Sequence, residues 1–181
     1  LTETIVFILS ERANLQAASE LEKSVNRALS KLNSRSHIRK QLFDVQLSPI
    51  APTLKIEQDQ FVYILAELFS NAAEAITDME ISPDRAITFE LSPDWEKGRA
   101  NIVIRNPIAR PCPFELPSLF KPFVTEYGAR KQLGLGLPTV FSILDRHDAS
   151  IELVELRDAS DLMYFEARLA IPCGDPASAG T

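Results

Sequence analysis

The stretch Leu65–Ile76, LAELFSNAAEAI, lies within the strongest helix pattern of the sequence. From about Glu57 to Thr77, apolar residues recur three or four positions apart, which is the spacing of one helix face. Glu67 and Asn71 stand one turn apart, so their side chains share a second face at the edge of that apolar stripe. The pattern predicts a helix whose buried side is formed by Phe61, Ile64, Leu65, Leu68, Ala72 and Ala75.

Two more helices and several strands are predicted on either side of this helix. A stripe between Glu11 and Leu32 indicates an N-terminal helix, formed by Leu15, Ala18, Leu21, Val25, Leu29 and Leu32. A third helix is expected from Leu137 to Arg146. The predicted strands are Gln41–Leu47, Thr53–Ile56, Ile87–Leu91, Asn101–Arg105, Ser150–Leu156 and Leu162–Ile171, the last two forming a hairpin.

This order of elements predicts an α+β two-layer sandwich, with a mixed, mainly antiparallel sheet and about three helices on one face. The proline-rich stretch 107–132 is long for a loop of a compact domain, so we expect it to form a ligand lid.

We expect a helical segment at 1–35, a linker or remnant of another domain, then one domain at 36–173 and a tail at 174–181. Because the sequence begins at Leu1, we expect it to be a piece of a longer protein.

Composition excludes several classes of function. A net charge of −6 and a pI near 5.0 argue against nucleic-acid binding, which usually requires a basic surface. Two cysteines and two histidines make a Cys/His metal site improbable and fit a reducing cytoplasm. The apolar run Ile5–Leu9 is far shorter than the roughly 20 residues that cross a bilayer.

Two features could carry chemistry, and each also has a purely structural interpretation. Gly134 and Gly136, in QLGLGLPTV (132–140), precede the third helix, where bare backbone N–H groups and the helix dipole suit an anion. They could equally form a simple turn before a core helix. Glu67 and Asn71 could hold a hard cation through oxygen, or be an ordinary solvated pair.

Four segments, in this order and spacing, resemble the ATP-binding domain of sensor histidine kinases. These enzymes share a superfamily with the Hsp90-type, gyrase-type and MutL-type ATPases. The stretch LAELFSNAAEAI looks like the family's N-box, and SLFKPFVTEYG (118–128) looks like its F-box. LGLGLPTVFSILDRHDASIEL (133–153) is similar to the last glycine box with the following helix and strand, and YFEARLAIP (164–172) to the closing strand. The resemblance covers roughly residues 42 to 172.

The resemblance implies roles for individual residues. Asn71 would ligate the Mg²⁺ that bridges the ATP phosphates, and Glu67 would orient the attacking group as the catalytic residue. The last glycine box would approach the phosphates through Gly134, Leu135, Gly136 and Leu137. The F-box aromatics Phe120 and Phe123 would anchor the lid, and the nearby cations that could meet the phosphates are Lys121, Arg130 and Lys131.

The sequence departs from the family pattern at two glycine boxes. Asn106 stands where the family has an aspartate that accepts a hydrogen bond from the adenine amino group, and no glycine follows it. An asparagine still offers an amide oxygen, without the assistance of a charge. Gln132 replaces the first glycine of the last box.

The resemblance implies a cytoplasmic catalytic domain that transfers the γ-phosphoryl of ATP to a histidine on a separate dimerisation domain, with a response regulator downstream. Parent proteins of this kind are commonly anchored in a membrane. Neither His37 nor His147 is expected to be the acceptor, since His37 precedes a strand and His147 ends the third helix. Two alternatives stay open: a degenerate relative that serves as a protein-interaction module, and a serine kinase or ATPase of the same fold.

Overall fold

The computed structural model describes residues 2–35, 42–76, 79, 86–124 and 134–175, with side chains of the first helix described from residue 12 to residue 32. The helices are α1 (Thr2–Arg35), α2 (Gln58–Ala75) and α3 (Gly136–Arg146), with a 3₁₀ helix at Leu116–Phe120. The strands are β1 (Phe43–Leu47), β2 (Thr53–Leu54), β3 (Ile87–Asp94), β4 (Arg99–Ile108), β5 (Ser150–Arg157) and β6 (Met163–Gly174).

The strands form a mixed sheet in which the order β1-β3-β4-β6 is extended by β5 and β2, both paired with β6. Strands β1 and β3 run parallel, and every other described pair is antiparallel. The three α-helices and the sheet share one apolar core. The predicted α+β sandwich with a mainly antiparallel sheet is therefore confirmed.

Helix α2 lies at the centre of the core because its apolar stripe is wide. Phe61, Ile64, Leu65 and Leu68 are buried as predicted, and Phe69 is buried between the rings of Phe43 and Phe89. Alternate residues of β4 meet this layer, since the pleat of a strand turns every second side chain to one face. Those inward residues are Ala100, Ile102, Ile104 and Asn106.

Helix α1 packs on α2 through the predicted stripe, from Leu21 to Leu32, although Leu15 is 69% exposed. Polar contacts accompany this packing: the Arg27 guanidinium donates to the Asp59 carboxylate at 2.7 Å, and Gln58 Nε2 donates to Ser24 Oγ at 3.3 Å. The described part of α1 thus shares its core with the rest of the fold, while the domain boundaries stay a prediction. Within the described residues, no helix combines the length and hydropathy needed to cross a membrane.

Strand β4 is longer than predicted, and the predicted end at Arg105 is wrong. The strand continues through Asn106 and Pro107 to Ile108, paired with β6. Its pairing with β3 stops at Arg105, so within the described residues β4 is an edge on the β3 side beyond that point, a position that tolerates proline. The extension places Asn106 inside the sheet, where its side chain is 3% exposed.

Candidate nucleotide site

A cleft of about 170 Å³ lies between α2, the inner face of β4, β5 and β6, and the start of α3. Its walls are mostly apolar, formed by side chains such as Leu68, Ile104 and Leu137, with a few polar groups between them. A concave apolar site with a small number of polar groups is typical of small-molecule binding. The sequence-predicted residues that line it are Asn71, Asn106, Gly134, Gly136 and Leu137.

Gly134 lines the cleft, and its backbone has a conformation that only glycine adopts readily. Its φ is +64°, and a Cβ at this position would lie 2.9 Å from the carbonyl carbon of Phe123 and from the carbonyl oxygen of Val124. The N–H of Phe123 donates to the carbonyl of Gly134 at 3.0 Å. The two chain segments therefore touch backbone to backbone, and a side chain at Gly134 would separate them.

Gly136 leaves room for a different group, the carboxylate of Glu67. A Cβ at Gly136 would lie 2.6 Å from Glu67 Oε2. Gly136 is the first residue of α3, so the carboxylate lies at the N-terminal end of that helix, where negative charge is stabilised. The pair Glu67 and Asn71 is thus placed beside the glycine turn, although only Asn71 lines the cleft itself.

Asn106 supplies a buried amide to the cleft. Its Nδ2 donates to the carbonyl of Pro107 at 3.0 Å, which fixes the orientation of the amide group because that carbonyl can only accept. Among the described residues, no donor satisfies Oδ1. An acceptor oxygen is therefore presented at the cleft by a side chain that is itself almost fully buried.

Glu155 also lines the cleft and was missed by the sequence interpretation. The N–H of Cys112 donates to its Oε1 at 2.6 Å, which ties the segment after β4 to strand β5. The sequence pattern could have indicated this residue. Ile151, Leu153 and Glu155 occupy alternate positions of β5, so Glu155 lies on the same face of the strand as the two apolar residues. Phe165, which pairs with both Asn106 and Glu155, lines the cleft between them.

Several predicted site residues lie away from the lining of the cleft. Phe120 packs against Phe141, with ring centroids 5.2 Å apart, and Phe123 is 74% exposed with φ at +68°. Lys121 is exposed beside the 3₁₀ helix, and Leu135 is the residue preceding α3. His37, Arg130, Lys131 and Gln132 fall outside the described residues.

His147 ends α3, as the sequence predicts, and makes a contact between helices. Its Nε2 lies 2.5 Å from Gln60 Oε1 on α2. The imidazole therefore helps to fix α3, and with it the glycine turn, against the helix that carries Glu67 and Asn71.

Comparison with solved structures shows that this fold is similar to that of histidine kinase structures, among them a catalytic domain. The mycobacterial sensor histidine kinase MprB has a TM-score of 0.62 and 19% identity, with 85% of this chain and 96% of that chain covered. The nucleotide-free catalytic domain of the histidine kinase ThkA has a TM-score of 0.61 and 21% identity, with 84% and 92% covered.

Full-length ShkA, solved in complex with AMPPNP, has a TM-score of 0.61 and 16% identity; 86% of this chain and 30% of ShkA are covered. No protein-family model matches the sequence, and no curated protein matches it. At these identities the comparisons show the fold alone, and it is the fold that the sequence resemblance implied.

Proposed function

We propose that the chain is the ATP-binding catalytic domain of a sensor histidine kinase. The observation that carries the proposal is that Asn71, Asn106 and the Gly134–Gly136 turn, which are distant in sequence, line one cleft. Each has a chemical group suited to one part of a nucleotide. The fold shared with the sensor histidine kinase MprB, and with full-length ShkA in complex with the ATP analogue AMPPNP, supports the same assignment.

The phosphate end of the site is the glycine turn at the start of α3. Backbone N–H groups at a helix N-terminus are unpaired within the helix and carry a partial positive charge, so they bind phosphate well. Gly134 and Gly136 leave this backbone without side chains that would cover it. In this proposal, further positive charge for the phosphates comes from the exposed Lys121 and from Arg130 and Lys131.

The donor set fits a magnesium ion bound together with phosphates. Mg²⁺ prefers oxygen ligands and usually takes only one or two from protein, the rest coming from phosphate and water. The amide oxygen of Asn71 would supply such a ligand. When bound, the ion neutralises charge on the β- and γ-phosphates.

The base end of the site is Asn106. Its buried Oδ1 can accept a hydrogen bond from the exocyclic amino group of adenine, in place of the aspartate of the family pattern. The apolar walls of the cleft would cover the faces of the base.

Phosphoryl transfer is mainly a matter of positioning and charge neutralisation. Glu67, fixed at the start of α3 beside the proposed phosphate site, would orient the accepting histidine. That histidine belongs to a separate dimerisation domain in the proposal, and a response regulator receives the phosphoryl group afterwards. The domain would work in the cytoplasm.

Calorimetric titration with Mg·ATP tests the proposal. Wild-type protein should bind, and Asn71→Ala should bind at least tenfold more weakly, because a ligand of the metal is lost. Asn101→Ala is the matched control, since Asn101 is exposed on the opposite face of β4 and should bind like wild type. No binding to wild-type protein at millimolar Mg·ATP would refute the nucleotide site and favour an interaction module.

The identity of the acceptor is a separate test. With ATP and candidate acceptor domains, a histidine kinase should give an acid-labile, alkali-stable phosphoprotein. An acid-stable phosphoester would identify the alternative, a serine kinase of the same fold.

A further inference from the structure

The base end of the cleft contains a second polar side chain that the proposed function leaves unused. Glu155 on β5 and Asn106 on β4 stand on either side of Phe165 on β6, in register across three neighbouring strands. Neighbouring strands are about 4.8 Å apart, so the two backbones are separated by roughly 10 Å, with an aromatic side chain between them. All three residues line the cleft.

Each of the two polar side chains has one group engaged within the protein. Asn106 uses Nδ2 to donate to the carbonyl of Pro107, and Glu155 uses Oε1 to accept from the N–H of Cys112. Among the described residues, Asn106 Oδ1 and Glu155 Oε2 have no hydrogen-bond donor. The two oxygens that remain are acceptors, because a carboxylate and an amide oxygen cannot donate.

We infer that Glu155 is a specificity-determining residue that, together with Asn106, selects a purine with an exocyclic amino group at position 6. This inference rests on the proposed nucleotide site. The amino group of adenine carries two protons, and the two acceptors would each take one. The carbonyl oxygen that guanine and hypoxanthine have at this position would face acceptors on both sides, and buried acceptors left unpaired are costly.

The test compares ATP with inosine triphosphate, which has a carbonyl in place of the amino group. Wild-type protein should bind Mg·ATP at least tenfold more tightly than Mg·ITP or Mg·GTP, as expected from hydrogen bonds to a charged group. In E155Q the preference for ATP over ITP should fall about tenfold, because the glutamine amide can donate to the carbonyl oxygen. E155Q retains an acceptor for the Cys112 N–H, so the β4–β5 connection is preserved.

The ratio of the two affinities separates recognition from a structural role. If Glu155 only anchors the Cys112 segment, E155Q will weaken ATP and ITP by the same factor and leave the ratio unchanged, which would overturn the inference. Glu152→Gln is the matched control, since Glu152 lies three residues earlier on the opposite face of the same strand, and its ratio should equal that of wild type.

A second measurement on wild-type protein needs no variant. N6-methyl-ATP has one amino proton instead of two, so it should bind about tenfold more weakly than ATP. Equal binding of the two compounds, or wild-type binding of GTP as tight as that of ATP, would contradict the inference while leaving the nucleotide site intact. Failure of every nucleotide to bind would refute the proposed function itself, so the two failures are distinguishable.

Discussion

Gly134 and Gly136 look alike in the sequence but have different physical reasons to be glycine. Gly134 has a left-handed backbone and touches the backbone of residues 123 and 124. Gly136 is the first residue of α3, and among the described residues the nearest atoms to a Cβ at this position belong to the Glu67 side chain. The first contact concerns stability, and the second concerns the position of a proposed catalytic carboxylate.

We expect Gly134→Ala to destabilise the protein. A non-glycine residue at positive φ costs about 1–3 kcal/mol, and the three backbone atoms that its Cβ would meet cannot move easily. Chemical denaturation with urea measures this loss. Gly174→Ala is the control, because a Cβ there would meet nothing within 4 Å. Equal stability of the two variants would contradict this account of Gly134.

Gly136→Ala should leave stability nearly unchanged and weaken nucleotide binding. The Cβ would displace the flexible Glu67 carboxylate, so the cost in free energy of unfolding should be within about 1 kcal/mol. The displaced side chain would disturb the proposed phosphate end of the cleft. In a Glu67→Ala background the same glycine substitution should weaken binding much less, and an undiminished effect would show that the two residues act independently.

The two cysteines should differ in their reactivity toward iodoacetamide. Cys173 is 4% exposed, and burial raises the pKa of its thiol, so little thiolate is available to react. Cys112 is half-buried and lines the cleft. Mass spectrometry should find Cys112 alkylated first, and saturating Mg·ATP should slow that reaction. Protection of Cys173 instead would contradict the proposed location of the nucleotide.

The outer face of the sheet carries a group of charged side chains that joins two of its strands. Glu166 on β6 is almost fully buried, and it contacts Arg105 Nε at 2.8 Å and Arg168 Nη2 at 2.7 Å. The Arg105 guanidinium also lies 5.0 Å from the centre of the Tyr164 ring. These contacts join β4 to β6 next to Asn106, on the face opposite to the cleft.

Glu166→Gln should therefore lower stability, since it leaves two arginines without their shared carboxylate. Both arginine side chains are 43% exposed, so solvent offsets part of the loss, and we expect about 1–2 kcal/mol. Thermal unfolding measures the change. Glu152→Gln, an exposed neighbour on β5, should have almost no effect, and a similar loss in both variants would show that burial of Glu166 is unimportant.

The helices and strands could be predicted where the spacing of apolar residues is regular. Their ends could be predicted less well where pairing between strands decides them. The apolar stripe of α2 and the final hairpin follow from spacing alone, because burial of one face requires that spacing. The end of β4 could not be predicted, since only its register with β6 keeps Asn106 and Pro107 in the strand. Glu155 was missed because Asn106, the other polar side chain at that end of the cleft, is distant from it in sequence.

The fold as a whole brings residues from four separate segments of the chain into one cleft. Helix α2 contributes Asn71, β4 contributes Asn106, the turn before α3 contributes Gly134, and β5 contributes Glu155. Motif order along the chain predicted the first three as one site. The shape of the cleft that these residues line, and the presence of Glu155 in it, could not be predicted, because both depend on the topology of the sheet.

The proposed function requires that this cleft binds ATP with its base at Asn106 and its phosphates at the glycine turn. A crystal structure of the protein with Mg²⁺ and a non-hydrolysable ATP analogue tests it most directly. We predict adenine between Asn106 and Glu155, with phosphate oxygens near Gly134, Gly136 and Asn71. An empty cleft at millimolar analogue, or a nucleotide bound elsewhere on the protein, would contradict the account.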